Sequence, residues 1–138
     1  MNWIFYSIFT AFLWGLCYTA AEQVVKNVDK NSYIAMSNFI SLAVFLFMSK
    51  NNLANDLVEM QKSSNLTWFL IAVSAAVVGQ YMSIMAIETS NASLAASLEI
   101  TYPFWCLLLA WMLFGTVMSW TAMFGVLIIF VGVLIVIY

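Results

Sequence analysis

The chain has 138 residues, 65% of them hydrophobic and 7% charged, with four lysines, no arginine, no histidine and a net charge of −2. About a quarter of the residues in a soluble domain are charged, so this composition excludes one and places the chain in a bilayer. It also excludes a basic nucleic-acid surface and a histidine metal site, and it leaves little chain outside the apolar segments for enzymatic machinery.

The first apolar stretch covers 3–21. It has no basic n-region and no cleavage site, and it is long enough to span, so it reads as a transmembrane helix rather than a signal peptide. It closes at Glu22-Gln23, and Lys26, Asp29 and Lys30 form the first connection. A second span covers 33–49. The segment from Lys50 to Asn65 is the one sizeable polar connection, and Leu53, Leu57 and Val58 within it fit either a short amphipathic helix on the membrane surface or an irregular loop. The third span, 67–87, ends at Glu88, and the turn Thr89-Ser90-Asn91 supplies N-cap residues for a fourth over 92–114. Gly115-Thr116 interrupts the pattern before a fifth span over 120–138. The expected fold is an all-α integral membrane protein: one domain, residues 1–138, with five transmembrane helices and termini on opposite faces. Cys17 and Cys106 fall inside apolar spans, which predicts buried thiols rather than a disulfide framework.

Orientation is weakly encoded. The first connection carries Lys26 and Lys30 and the second, on the opposite face, carries Lys50 and Lys62, a balance of two against two. The positive-inside rule therefore has almost nothing to act on. Either the chain has one weakly set orientation or it inserts both ways up, and in the second case two antiparallel copies form an inverted-topology pair.

Glu99 is the ionisable group placed well inside an uncharged apolar span. Holding a charge at the bilayer centre costs roughly 2.5–3.5 kcal/mol on insertion scales, so such a group faces a partner, a cavity or a substrate path. Pro103 lacks the N–H that the Glu99 carbonyl would accept in a continuous helix, so a kink is expected beside the carboxylate. The helical neighbours Ala92, Ala95, Ala96, Tyr102, Pro103, Cys106 and Ala110 form a narrow, mostly small face, which turns Glu99 toward other helices rather than lipid. It is either interhelical glue or a group at which proton and substrate compete. Trp14 and Tyr18, one turn apart, and Tyr102 and Trp105, flanking Pro103, are either ordinary packing or the lining of a cavity suited to an organic cation or amphipathic solute. Gln80 and Asn38 need polar partners in their spans, whether another helix or a substrate. Gly125 and Gly132, one heptad apart, mark a helix-packing face, against this chain or a second copy. Glu22 and Glu88, at span ends, are expected to be solvated.

The Trp14-Gly15 pair, the turn and helix start from Glu88 to Leu98 leading into Tyr102-Pro103-Phe104-Trp105, and Phe114-Gly115 ahead of Gly125 and Gly132 resemble an EamA-type domain of the drug/metabolite transporter superfamily. The resemblance covers nearly the whole chain. Larger members have ten spans in two inverted halves, and this chain resembles one half, like the small five-span bacterial and archaeal members. Where the family typically has Gly-Glu at the end of the fourth span, this chain has Gly115-Thr116. The related small multidrug transporters carry a glutamate in the first span, which here has none before Glu22.

The resemblance implies a secondary transporter of small metabolites or drug-like solutes in the cytoplasmic (inner) membrane, usually outward, by alternating access and without a cofactor. In an antiparallel homodimer two copies of Glu99 would face one cavity, where both cannot ionise readily, leaving a proton to exchange. The competing expectations are a non-transporting subunit of a heterodimeric or flippase-like pair, and a structural membrane protein.

Overall fold

The computed structural model describes residues 2–61, 63–117 and 119–138, and Lys62, one of the four lysines counted above, lies outside them. The described residues form seven α-helices in chain order: α1 (Asn2–Val25), α2 (Lys30–Ser49), α3 (Leu53–Met60), α4 (Ser63–Thr89), α5 (Ala92–Glu99), α6 (Tyr102–Phe114) and α7 (Trp120–Ile137). Five segments among them are long and apolar enough to cross a membrane: Ile4–Val25, Lys30–Ser49, Asn65–Thr89, Ala92–Phe114 and Trp120–Ile137. The fold is all-α, and α5 with α6 makes up the fourth span.

Helix ends follow capping chemistry rather than the limits of apolar composition. Asp29 Oδ1 accepts from the backbone N–H groups of Asn31 and Ser32 at 2.9 and 3.2 Å, which starts α2 at Lys30 rather than at residue 33. The side chain of Asn91 accepts from Leu94 N at 2.9 Å and opens α5, and Ser119 Oγ accepts from Ala122 N at 3.2 Å and opens α7. At the far end of α6, Gly115 takes a left-handed φ of 65°, and its N–H closes on the Trp111 carbonyl at 3.0 Å, a backbone position that suits glycine. Helix α1 continues past Ala21 through Glu22 and Gln23 to Val25. Both are good helix formers, so hydropathy ends there while the backbone ladder does not.

The connection between the second and third spans contains α3, and Leu53, Ala54, Leu57, Val58 and Met60 share one side of it while Asn55, Asp56 and Glu59 share the other. Asn65 Nδ2 donates to the Glu59 carbonyl at 3.0 Å and ties the end of α3 to the start of α4.

Two compact units emerge, Met1–Glu22 with Thr89–Tyr138, and Gln23–Glu88. In the first, α5 packs on α7, and the buried side chains are small or β-branched: Ala21, Ala92, Ala95, Val126 and Val133. Val126 and Val133 are seven residues apart and so share a face of α7. Phe104 of α6 meets Phe130 of α7 edge to face, with ring centroids 5.5 Å apart. In the second unit α2 and α4 run antiparallel and are joined by two polar rungs. Lys30 Nζ pairs with Glu88 Oε2 at 3.0 Å, and Asn38 Nδ2 donates to Gln80 Oε1 at 2.9 Å. The second rung lies eight residues further along α2 and eight residues back along α4, so both belong to one register.

Most large apolar side chains are exposed on the helix exteriors, the arrangement expected where the solvent is lipid. Cys17 and Cys106 are free thiols on these exposed surfaces rather than buried ones, because the small residues Ala21, Ala92 and Ala95 occupy the interior of their unit instead.

A candidate carboxylate site at the break in the fourth span

Glu99 is the last residue of α5, and the helix does not run on into α6. Pro103 occupies the first turn of α6, where the ring fixes φ and no N–H is available for the carbonyl four residues earlier. The chain crosses the gap by short i to i−3 bonds, Thr101 N to the Leu98 carbonyl at 3.2 Å and Phe104 N to the Thr101 carbonyl at 3.0 Å. Neither uses the carbonyl of Glu99. Thr101 Oγ1 also donates back to the Leu98 carbonyl at 2.8 Å, holding the step.

The Glu99 side chain is half-buried, and Tyr18 Oη of α1 donates to its Oε2 across 81 positions of sequence. The Tyr18 ring lies beside that of Trp14, with centroids 6.0 Å apart and planes tilted by 43°. The fold thus brings three of the expected site residues together: Trp14 and Tyr18 on one turn of α1, and Glu99 at the end of α5. Seven residues separate Glu99 from Ala92 at the start of α5, about 10 Å along the axis and so well inside an apolar layer of about 30 Å.

Other expected site residues are placed differently. Tyr102 and Trp105 present exposed rings on α6, and Trp105 meets its neighbour Phe104 with centroids 5.1 Å apart. Gln80 belongs to the second unit, where its partner is Asn38. Gly125 and Gly132 are exposed, and a Cβ added at either would meet no atom within 4 Å. The close packing of α7 on α5 uses the adjacent stripe of Val126 and Val133.

Glu22 departs from the solvated role expected of it. It is half-buried, and its Oε2 accepts from the backbone N–H of Ala92 at 2.9 Å, so it satisfies one of the free donors at the start of α5. A signal for this contact was present in span parity, which puts the end of the first span and the start of the fourth at the same membrane face. Glu88 is exposed, as expected at a span end, and pairs with Lys30 there.

The site joins a half-buried carboxylate, a phenol and an indole within apolar spans. Such a set can hold a proton or a cationic group, with the phenol orienting one carboxylate oxygen and the aromatic faces offering cation–π contact. The fold defines a multi-pass, all-α membrane protein. The chain belongs to the EamA-like transporter family, whose model matches residues 1–138. Its five spans correspond to one half of an inverted-repeat transporter fold. Neither a curated protein nor a solved structure matches the chain significantly.

Proposed function

We propose that this chain is a member of the drug/metabolite transporter superfamily that exports small metabolites or drug-like, cationic solutes across the cytoplasmic (inner) membrane. It works by alternating access as an antiparallel homodimer and draws on the proton gradient. The observation that carries this reading is the Tyr18–Glu99 hydrogen bond at the broken fourth span. A carboxyl group at that depth is costly to leave charged and alone, so it cycles between protonation and an organic cation. Tyr18 holds one of its two oxygens, and the other is available to the exchanging species. Trp14 and Tyr18 supply aromatic faces for the apolar part of the solute. The unbonded carbonyl beside Pro103 gives the helix a point at which its two halves can tilt without breaking a full ladder of hydrogen bonds.

Proteoliposome flux of a hydrophobic organic cation under an imposed pH gradient tests the reading. Glu99→Gln keeps the side-chain volume and hydrogen-bonding capacity but cannot ionise, so proton-driven flux is expected to fall to the level of empty liposomes while the protein folds normally. Proton-driven flux in Glu99→Gln equal to that of the parent chain would reduce Glu99 to a structural link between α1 and α5.

A further inference from the structure

The Asn38–Gln80 rung of the second unit is a polar feature that the carboxylate site does not use. Its geometry follows from the register of α2 and α4. Lys30 and Glu88 mark the membrane face where α2 begins and α4 ends. Eight residues at 1.5 Å each place Asn38 and Gln80 about 12 Å deeper. In a hydrocarbon layer about 30 Å thick the rung therefore sits within a few ångströms of the midplane.

The single bond of 2.9 Å occupies one N–H of Asn38 and the carbonyl oxygen of Gln80. Two primary amides offer four N–H donors and two carbonyl oxygens, so the Asn38 Oδ1 acceptor and the Gln80 Nε2 donors remain for another partner. Asn38 is exposed on the chain and Gln80 is half-buried. Unpaired amide groups facing hydrocarbon at this depth are strongly unfavourable, which requires something polar to cover them. Ala35 and Ser41 flank Asn38 on α2, and Ala76 and Ser83 flank Gln80 on α4, so a covering helix can approach closely.

We infer that this rung is where a second copy of the chain, in the opposite orientation, packs against α2 and α4. The inference rests on the antiparallel dimer proposed above and names the surface that forms it. Two observations select a second copy. A two-fold axis lying in the membrane plane returns a residue to its own depth only if that residue is near the midplane, and the rung is. The rung also presents both unused donors and an unused acceptor, so two copies facing one another satisfy each other. A partner of different sequence would need its own matching amide at that depth.

Cysteine cross-linking of the full chain in membranes, in a Cys17→Ala, Cys106→Ala background, tests it alongside a separate measurement of oligomeric state by light scattering in detergent. Asn38→Cys is expected to form a disulfide-linked dimer. Phe45→Cys, on the same stripe of α2 and about 10 Å further along it, is expected not to, because antiparallel copies hold that position about 20 Å apart. The paired change Asn38→Leu, Gln80→Leu is expected to weaken dimerisation roughly 10-fold, the scale of hydrogen bonds between membrane helices. Cross-linking at both positions would mean parallel packing and overturn the inference. A dimer by light scattering with no cross-link at Asn38→Cys and no effect of the leucine pair would also overturn it while leaving the antiparallel dimer standing. A monomer in every assay would remove both.

Discussion

Three carboxylates near span ends or within spans differ in what they touch, and the difference sets what each contributes. Glu88 meets a lysine at the membrane face, where exposed pairs add little. Glu22 meets a backbone N–H at the start of a helix, where the donor has no partner of its own. Glu99 meets a phenol inside the apolar layer. Glu22→Ala is expected to lower stability by about 0.5–2 kcal/mol, the range for loss of an N-terminal capping oxygen. Glu22→Gln is expected to cost less, because its amide oxygen still accepts from Ala92. Thermal unfolding in detergent reads both, and an unfolding midpoint for Glu22→Ala equal to that of the parent chain would show that the contact has no energetic role.

At the scale of elements, the break between α5 and α6 is the feature with mechanical consequence. A proline in the first turn of a helix is accommodated there, whereas four residues into a continuous helix it removes a bond and collides with the preceding turn. Pro103→Ala restores the N–H and lets the Glu99 carbonyl accept it, so α5 and α6 are expected to fuse into one helix. Amide hydrogen exchange at Thr101 and Tyr102 of the variant should slow at least several-fold relative to the parent chain, and flux should fall because the carboxylate is then held on a stiff rod. Exchange at these two positions as fast as in the parent chain would mean that the step is held by Thr101 and its bonds to Leu98 rather than by the missing donor. The same scale accounts for α7. Its buried valine stripe, Val126 and Val133, lies on the side that packs on α5, while a Cβ added at Gly125 or Gly132 would meet open space.

For the whole molecule, topology and assembly are one question. Two lysines on each flank of the second span leave the positive-inside rule without a preference. Reporter fusions at Tyr138 are therefore expected to give signal on both sides of the membrane, and two added lysines in the first connection should collapse the signal to one side. Fusions that retain transport and report from a single side only would remove the dual-topology reading, and the inverted pair with it.

The all-α class and the number of spans were legible in composition, because hydrocarbon admits few backbone solutions and a run of about 20 apolar residues is close to a direct statement of one of them. The cap at Asn91 was legible in the turn Thr89-Ser90-Asn91, whereas those at Asp29 and Ser119, though each lies within three residues of the donor it serves, do not show in hydropathy. Glu99 and Pro103 could be singled out because depth and a missing N–H are properties of a position along one segment. What the chain order does not carry is which faces meet. Tyr18 reaches Glu99 across 81 positions, Glu22 reaches Ala92 across 70, and Asn38 reaches Gln80 across 42. In a helix that is apolar all round, periodicity does not distinguish the face that meets protein from the face that meets lipid. Only the contact of α1 with α5 and the register of α2 against α4 decided those pairings, since in lipid it is close contact and hydrogen bonding between helices, rather than apolarity, that selects one face over another.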